Sequence, residues 1–132
     1  MPNYIASKTD VAPDVQMGEN NIIFQMSHAG LHGIMGNNNL IRQNVYLGHN
    51  FKIADGNIFS PGTNIGGLCS FGSRCYVGIG ATLTDNLIIA DETLIGAGSV
   101  VIKSTEPHTK YIGVPAKPAG EHKENGIEIK RI

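Results

Sequence analysis

Residues 41–65 read IRQNVYLGHNFKIADGNIFSPGTNI, and within them Ile41, Leu47, Ile53, Phe59 and Ile65 fall at every sixth position. The same step carried toward the N-terminus meets Met35, Ala29, Ile23, Met17, Val11 and Ile5. Carried the other way it meets Phe71, Val77, Leu83, Ile89, Ile95 and Val101. Every one is apolar in a chain that is 41% hydrophobic, and chance agreement over such a run is below about one in a million. The residue after the anchor is Gly or Ala in most hexads, among them Ala6, Gly18, Gly30, Gly48, Gly66, Gly78 and Gly96. The fourth residue past the anchor is mostly small or β-branched, as at Ser27, Val45, Thr63, Cys69, Cys75, Thr93 and Ser99.

Neither a helix nor an isolated strand holds a six-residue rhythm over this length. A coil of three short sides does, because each side turns one anchor inward and then bends. Six residues per side makes eighteen per coil, and coils stack at about 4.8 Å. Ile5, Ile23, Ile41, Phe59, Val77 and Ile95 then form one column, Val11, Ala29, Leu47, Ile65, Leu83 and Val101 a second, and Met17, Met35, Ile53, Phe71 and Ile89 a third. The expected fold is all-β: a parallel β-helix of between five and six coils over residues 1–106, with a C-terminal loop and tail at 107–132. Such a tail folds back over the open edge of the last coil. Residues 127–132 alternate weakly like a strand.

The composition fits. Seventeen glycines and twelve asparagines tolerate positive φ at corners, so Asn20-Asn21, Asn37-Asn38-Asn39 and Asp55-Gly56 are assigned to turns. A net charge of −1 provides no field for nucleic acid or an acidic membrane. No apolar stretch is long enough for a membrane-spanning helix, and the N-terminus lacks a secretory leader. Cys69 and Cys75 sit at small inward positions on different sides and read as free thiols, which fits a cytoplasmic chain.

The runs LeuGlyHisAsnPheLysIleAlaAsp (47–55), IleGlyGly (65–67), TyrValGlyIleGlyAla (76–81), LeuIleGlyAlaGlySerValVal (94–101) and GlyValProAlaLys (113–117) resemble the left-handed β-helix acyltransferases. The similarity is to those N-acetylating nucleotide sugars of the sialic-acid and bacillosamine types. It implies an acetyl-CoA donor, a nucleotide-linked amino sugar as acceptor, no metal, and a homotrimer with active sites at subunit boundaries. Hydroxyl acceptors remain open, since one general base serves an amine or an alcohol.

Acyl transfer requires a base, and an imidazole suits neutral pH. His49, two residues past Leu47 at a corner, is the candidate, and the Gly66-Gly67 pair one coil above is expected to leave room for a thioester. Asn50 stands where relatives carry Asp or Glu, and Ile58 where they often carry a His that contacts the acetyl carbonyl. The resemblance assigns coenzyme A contacts to the backbone at Ile79 and Ala97; Gly78, Gly96 and Gly98 keep that surface low, and Gly67 joins the cofactor contacts. Lys103 and Lys117 are expected at its phosphates. His32 and Arg42 are candidate acceptor contacts, Arg42 either binding a diphosphate or pairing with an acidic neighbour. His28, His108 and His122 draw no role from their spacing. Two rivals share the scaffold. A γ-type carbonic anhydrase needs three converging histidines, a spacing that His28, His32 and His49 do not reproduce; a non-catalytic binding β-helix needs no base at all.

Overall fold

The computed structural model describes residues 1–122; the strand-like alternation at 127–132 lies outside them. Seventeen two-residue strands, from Tyr4–Ile5 (β1), Asp10–Val11 (β2) and Gln16–Met17 (β3) to Val100–Val101 (β17), each end on one of the anchors. They pair in parallel with the strand eighteen residues on, as in Ile5 with Ile23 and Phe59 with Val77. Three sheets result, and the fold is the parallel β-helix expected from the hexads, of the left-handed kind that the resemblance implies. The first face holds β1 and every third strand after it, the second face holds β2 and its stack, and the third holds β3 and its stack. No helix is long and apolar enough to cross a membrane among the described residues.

Alternation within each two-residue strand sends the anchor inward and its predecessor outward. Ile23, Ile41, Leu47, Phe59, Ile65, Val77, Ile89 and Ile95 are essentially inaccessible. Only the lowest coil is loose, with Ile5 43% exposed. Outward residues on the first face are Tyr4, Ile22, Leu40, Ile58, Tyr76 and Leu94, an apolar strip. The second face presents Asp10, His28, Tyr46, Asn64, Thr82 and Val100 instead.

The third residue past nearly every anchor has positive φ. Asn20, Asn38 and Gly56 fill this position as expected; Asn44 and Asn50 do so too, but so do Met26, Leu68, Arg74 and Glu92. Each non-glycine residue there costs on the order of 1 kcal/mol, so the coil geometry overrides local preference. The turn assignment needs one correction. Asn21 and Asn39, together with Asn57, do not face solvent; they are at most 1% exposed and form a ladder inside the prism. The Asn39 side-chain oxygen accepts the Asn57 backbone N–H at 2.8 Å, and that of Asn57 accepts the Cys75 N–H at 2.8 Å. A buried amide is tolerated because every coil satisfies the next. Phe51 also occupies a normally small inward position; it fits because Gly33 beneath it has no Cβ to meet the ring.

Past Val101 the ladder continues, with altered spacing. Residues 102–108 span the third side without a strand, held by Thr105, whose N–H donates to the Ile88 carbonyl and whose Oγ1 accepts from Ala90, both at 3.0 Å. Thr109–Gly113 (β18) then joins Leu94–Ile95 (β16), with Tyr111 over Ile95, a step of sixteen residues rather than eighteen. Ala116–Glu121 (β19) pairs antiparallel with β18 through a turn that includes a cis Val114–Pro115 bond.

Candidate active site

His49 lies at the corner between the second and third faces. Its neighbours in the eighteen-residue column are Leu31 below and Gly67, Asp85 and Lys103 above. The imidazole is exposed, and its Nδ1 lies 2.9 Å from the Asn50 side-chain oxygen. With that oxygen as acceptor, Nδ1 carries the proton and Nε2 is left with its lone pair, the form a general base requires.

The ring does not leave an open gap beneath Gly67, as expected from the glycine pair. It rises into that gap: a Cβ added at Gly67 would sit 2.5 Å from Nε2 and 2.8 Å from Cδ2 of His49. The glycine therefore makes room for the imidazole itself. Asp85 completes the column, its Oδ1 accepting the Gly67 N–H at 2.9 Å.

One coil below Asn50, His32 meets a carboxylate. Its Nδ1 is 2.6 Å from Asp14 Oδ2, and its backbone N–H reaches both Asp14 oxygens at 3.0 and 3.1 Å. These bonds, the backbone one foremost, hold the Asp14 carboxyl below its ordinary pKa. A similar pair lies on the second face, where His28 Nδ1 is 2.9 Å from Asp10 Oδ2 and the ring stacks on Tyr46 at 4.9 Å and 8°. Spacing alone assigned His28 nothing; stepping by eighteen from Asp10 and Asp14 is the signal that finds both pairs.

Arg42 resolves neither way: its guanidinium lies over the Phe24 ring, 5.8 Å from the centroid, and it has no acidic partner among the described residues. Ile79 and Ala97 are exposed at a different corner, between the first and second faces. The Ile79 carbonyl accepts from Gly98 N–H at 2.8 Å, whereas the N–H groups of Ile79 and Ala97 have no acceptor among the described residues. Gly78 and Gly96 flank them; a Cβ at Gly78 would meet the Ala97 backbone nitrogen at 2.6 Å. Lys103 and Lys117 come together, lining a cleft of about 470 Å³ with Ile102, Tyr111, Pro115 and Pro118 at the C-terminal end. Within one chain, then, the second face separates the His49 corner from the Ile79 and Ala97 corner.

Elsewhere Glu92, nearly buried, accepts from Arg74 at 2.8 Å and faces His108 Nδ1 at 2.9 Å. The Arg74 guanidinium first, then His108, holds its carboxyl below the usual range. Cys69 and Cys75 are free and buried, and burial pushes the Cys75 thiol up to about 11, so neither is a nucleophile at neutral pH. No three His, Cys, Asp or Glu side chains converge among the described residues.

No family model matches the chain. It is 28% identical to UDP-3-O-acylglucosamine N-acyltransferase of Bordetella avium over 123 residues, which are 92% of this chain and 34% of that protein. It is 32% identical to dTDP-4-amino-4,6-dideoxy-D-glucose acyltransferase of Escherichia coli over 71 residues, 53% of this chain and 37% of that one. Among solved structures, a GDP-perosamine N-acetyltransferase variant from Caulobacter crescentus, in complex with CoA and GDP-perosamine, superposes with a TM-score of 0.90 at 26% identity. That likeness covers 92% of this chain and 58% of the other. The chain thus spans about a third of the curated relatives' length. Each of these three proteins is an acyl- or acetyltransferase, in keeping with the resemblance carried by the hexads.

Proposed function

We propose that this chain transfers an acetyl group from acetyl-CoA to the amino group of a nucleotide-linked amino sugar, with His49 as general base. The observation that carries the proposal is an exposed imidazole, tied at Nδ1 to Asn50 and lodged over Gly67, on a β-helix that matches a sugar-nucleotide N-acetyltransferase. Nε2 takes the proton that the amine loses as it attacks the thioester carbon, and returns it to the departing sulfur. Asn50 fixes the tautomer without adding charge. The acetyl-CoA arm lies along the corner of Ile79 and Ala97, whose unpaired N–H groups suit its amides, and the lysine cleft suits its phosphates. His32 and Arg42 belong to the acceptor side.

A homotrimer reconciles the two separated corners. Three triangular prisms about a three-fold axis each turn one corner inward and give both flanking faces to neighbours. On the first face the outward residues from Tyr4 to Leu94 are apolar, with Lys110 above them on β18, and the third carries Ile34 and Ile88, 45% and 65% exposed. The second face, with Asp10, His28, Asn64 and Thr82, suits solvent. With the third–first corner innermost, His49 of one chain meets the Ile79 and Ala97 corner of the next. The free, buried thiols fit a reducing, cytoplasmic setting.

The test is release of free thiol from acetyl-CoA against a panel of nucleotide-linked amino sugars. Turnover that requires both substrates supports the proposal; thiol release with none of the panel overturns it.

A further inference from the structure

Two imidazoles near the His49 corner have a carboxylate partner, and His49 is not one of them. The acyl donor occupies coils above His49, toward the lysine cleft, so the acceptor must enter from the N-terminal side, where the same corner presents Asp14 and His32. An amino sugar arrives as an ammonium ion. It has two protons to lose before the amide is neutral, and a single neutral imidazole accepts one. From this geometry we infer that Asp14–His32 is a second proton-accepting centre, which converts the bound acceptor from ammonium to free amine before His49 acts. The inference rests on the acyltransferase reading above.

The step balances. His32 Nε2 takes a proton from R–NH3⁺, giving R–NH2 and an imidazolium whose Nδ1–H remains bonded to Asp14 Oδ2 across 2.6 Å. The freed lone pair forms the C–N bond to the thioester carbon. His49 Nε2 removes the second proton and delivers it to the sulfur as the C–S bond breaks, and His32, 64% exposed, returns its proton to water. Asp14 is a positioning residue: its bonds to the His32 backbone and ring fix the tautomer, and its negative charge offsets the one the ring acquires. A carboxyl held below its ordinary pKa stays ionised throughout. The other titratable or charged groups on this corner and the adjoining strands are His49, Asp85, Lys103, Asp10, His28, Tyr46 and Lys52.

The experiment compares wild type with His32→Asn and Asp14→Asn, using acetyl-CoA and dTDP-4-amino-4,6-dideoxy-D-glucose, with kcat/KM followed from pH 6.5 to 9. An amino group flanked by electron-withdrawing oxygens titrates near about 8, so roughly a tenth is free amine at pH 7. Both variants should lose about tenfold at pH 7, then regain it with unit slope as the pH approaches the pKa of the acceptor. Asp14→Glu should restore much of the loss. Wild type should stay level above pH 7. An equal loss at every pH, or profiles that match wild type, overturns the inference and leaves the pair as a surface contact. Absence of wild-type turnover instead overturns the acyltransferase reading, and the inference with it.

Discussion

Replacing Gly67 with Ala perturbs the proposed base without touching the residue that bears it. The new Cβ would lie 2.5, 2.8 and 2.9 Å from three ring atoms of His49. Ordinary contact between such atoms begins near 3.5 Å, so the ring must retreat by about 1 Å. Gly67 has no left-handed φ to forbid a side chain, and what its Cβ meets is one exposed ring. Stability should therefore change by less than about 0.5 kcal/mol. A 1 Å misplacement of a catalytic group costs about a hundredfold, which is about 2.7 kcal/mol of barrier. Gly48→Ala is the contrasting control, since its Cβ would meet the Gly67 backbone nitrogen at 2.7 Å; there the loss should be in folding, about 1–3 kcal/mol. Thermal melts and thiol-release rates on both variants separate the two effects. A Gly67→Ala protein with wild-type melting and undiminished kcat would show that the ring's seat over Gly67 is irrelevant to the chemistry, and His49 would lose its assignment.

The other expectations are shorter. His49→Ala should remain folded and trimeric by light scattering and circular dichroism, yet lose between about two and four powers of ten in kcat; full activity removes it as base. Asn39→Ala strips the Asn57 N–H of its acceptor inside the prism and should cost about 3 kcal/mol in denaturant melts, whereas a near-zero change would mean the ladder is not structural. Ile58→Glu, in the middle of the apolar first face, should give a monomer on light scattering and abolish turnover; an intact trimer would move the interface to another face. Glu92 has a depressed folded pKa, so its ionised form contributes stability above the ordinary value of 4.5, and that contribution is lost as the pH falls through the lowered one. Glu92→Gln should thus flatten the acid limb of the stability curve, and identical acid limbs would refute the coupling to Arg74.

The sequence by itself determined the winding. Seventeen apolar anchors at one spacing leave a single solution for burying them, and the columns, the three faces, the free cysteines and the outward stance of His49 all follow from that period. Periodicity is a statement about burial repeated many times, so it survives exceptions such as Leu68 and Glu92 in left-handed backbone. What the tertiary structure alone decided concerns single side chains and the last coil. Asn21 and Asn39 stand four past an anchor, in the inward register, and are tolerated there because each finds a partner in the coil above, which the period cannot reveal. The His49 ring rises over Gly67 rather than lying under an empty gap, and Asp14 reaches His32. The ladder resumes at Tyr111 after a sixteen-residue step because Thr105 closes the third side without a strand. The residues expected to handle donor and base lie at different corners, since convergence depends on direction and neighbours, and a repeat specifies neither.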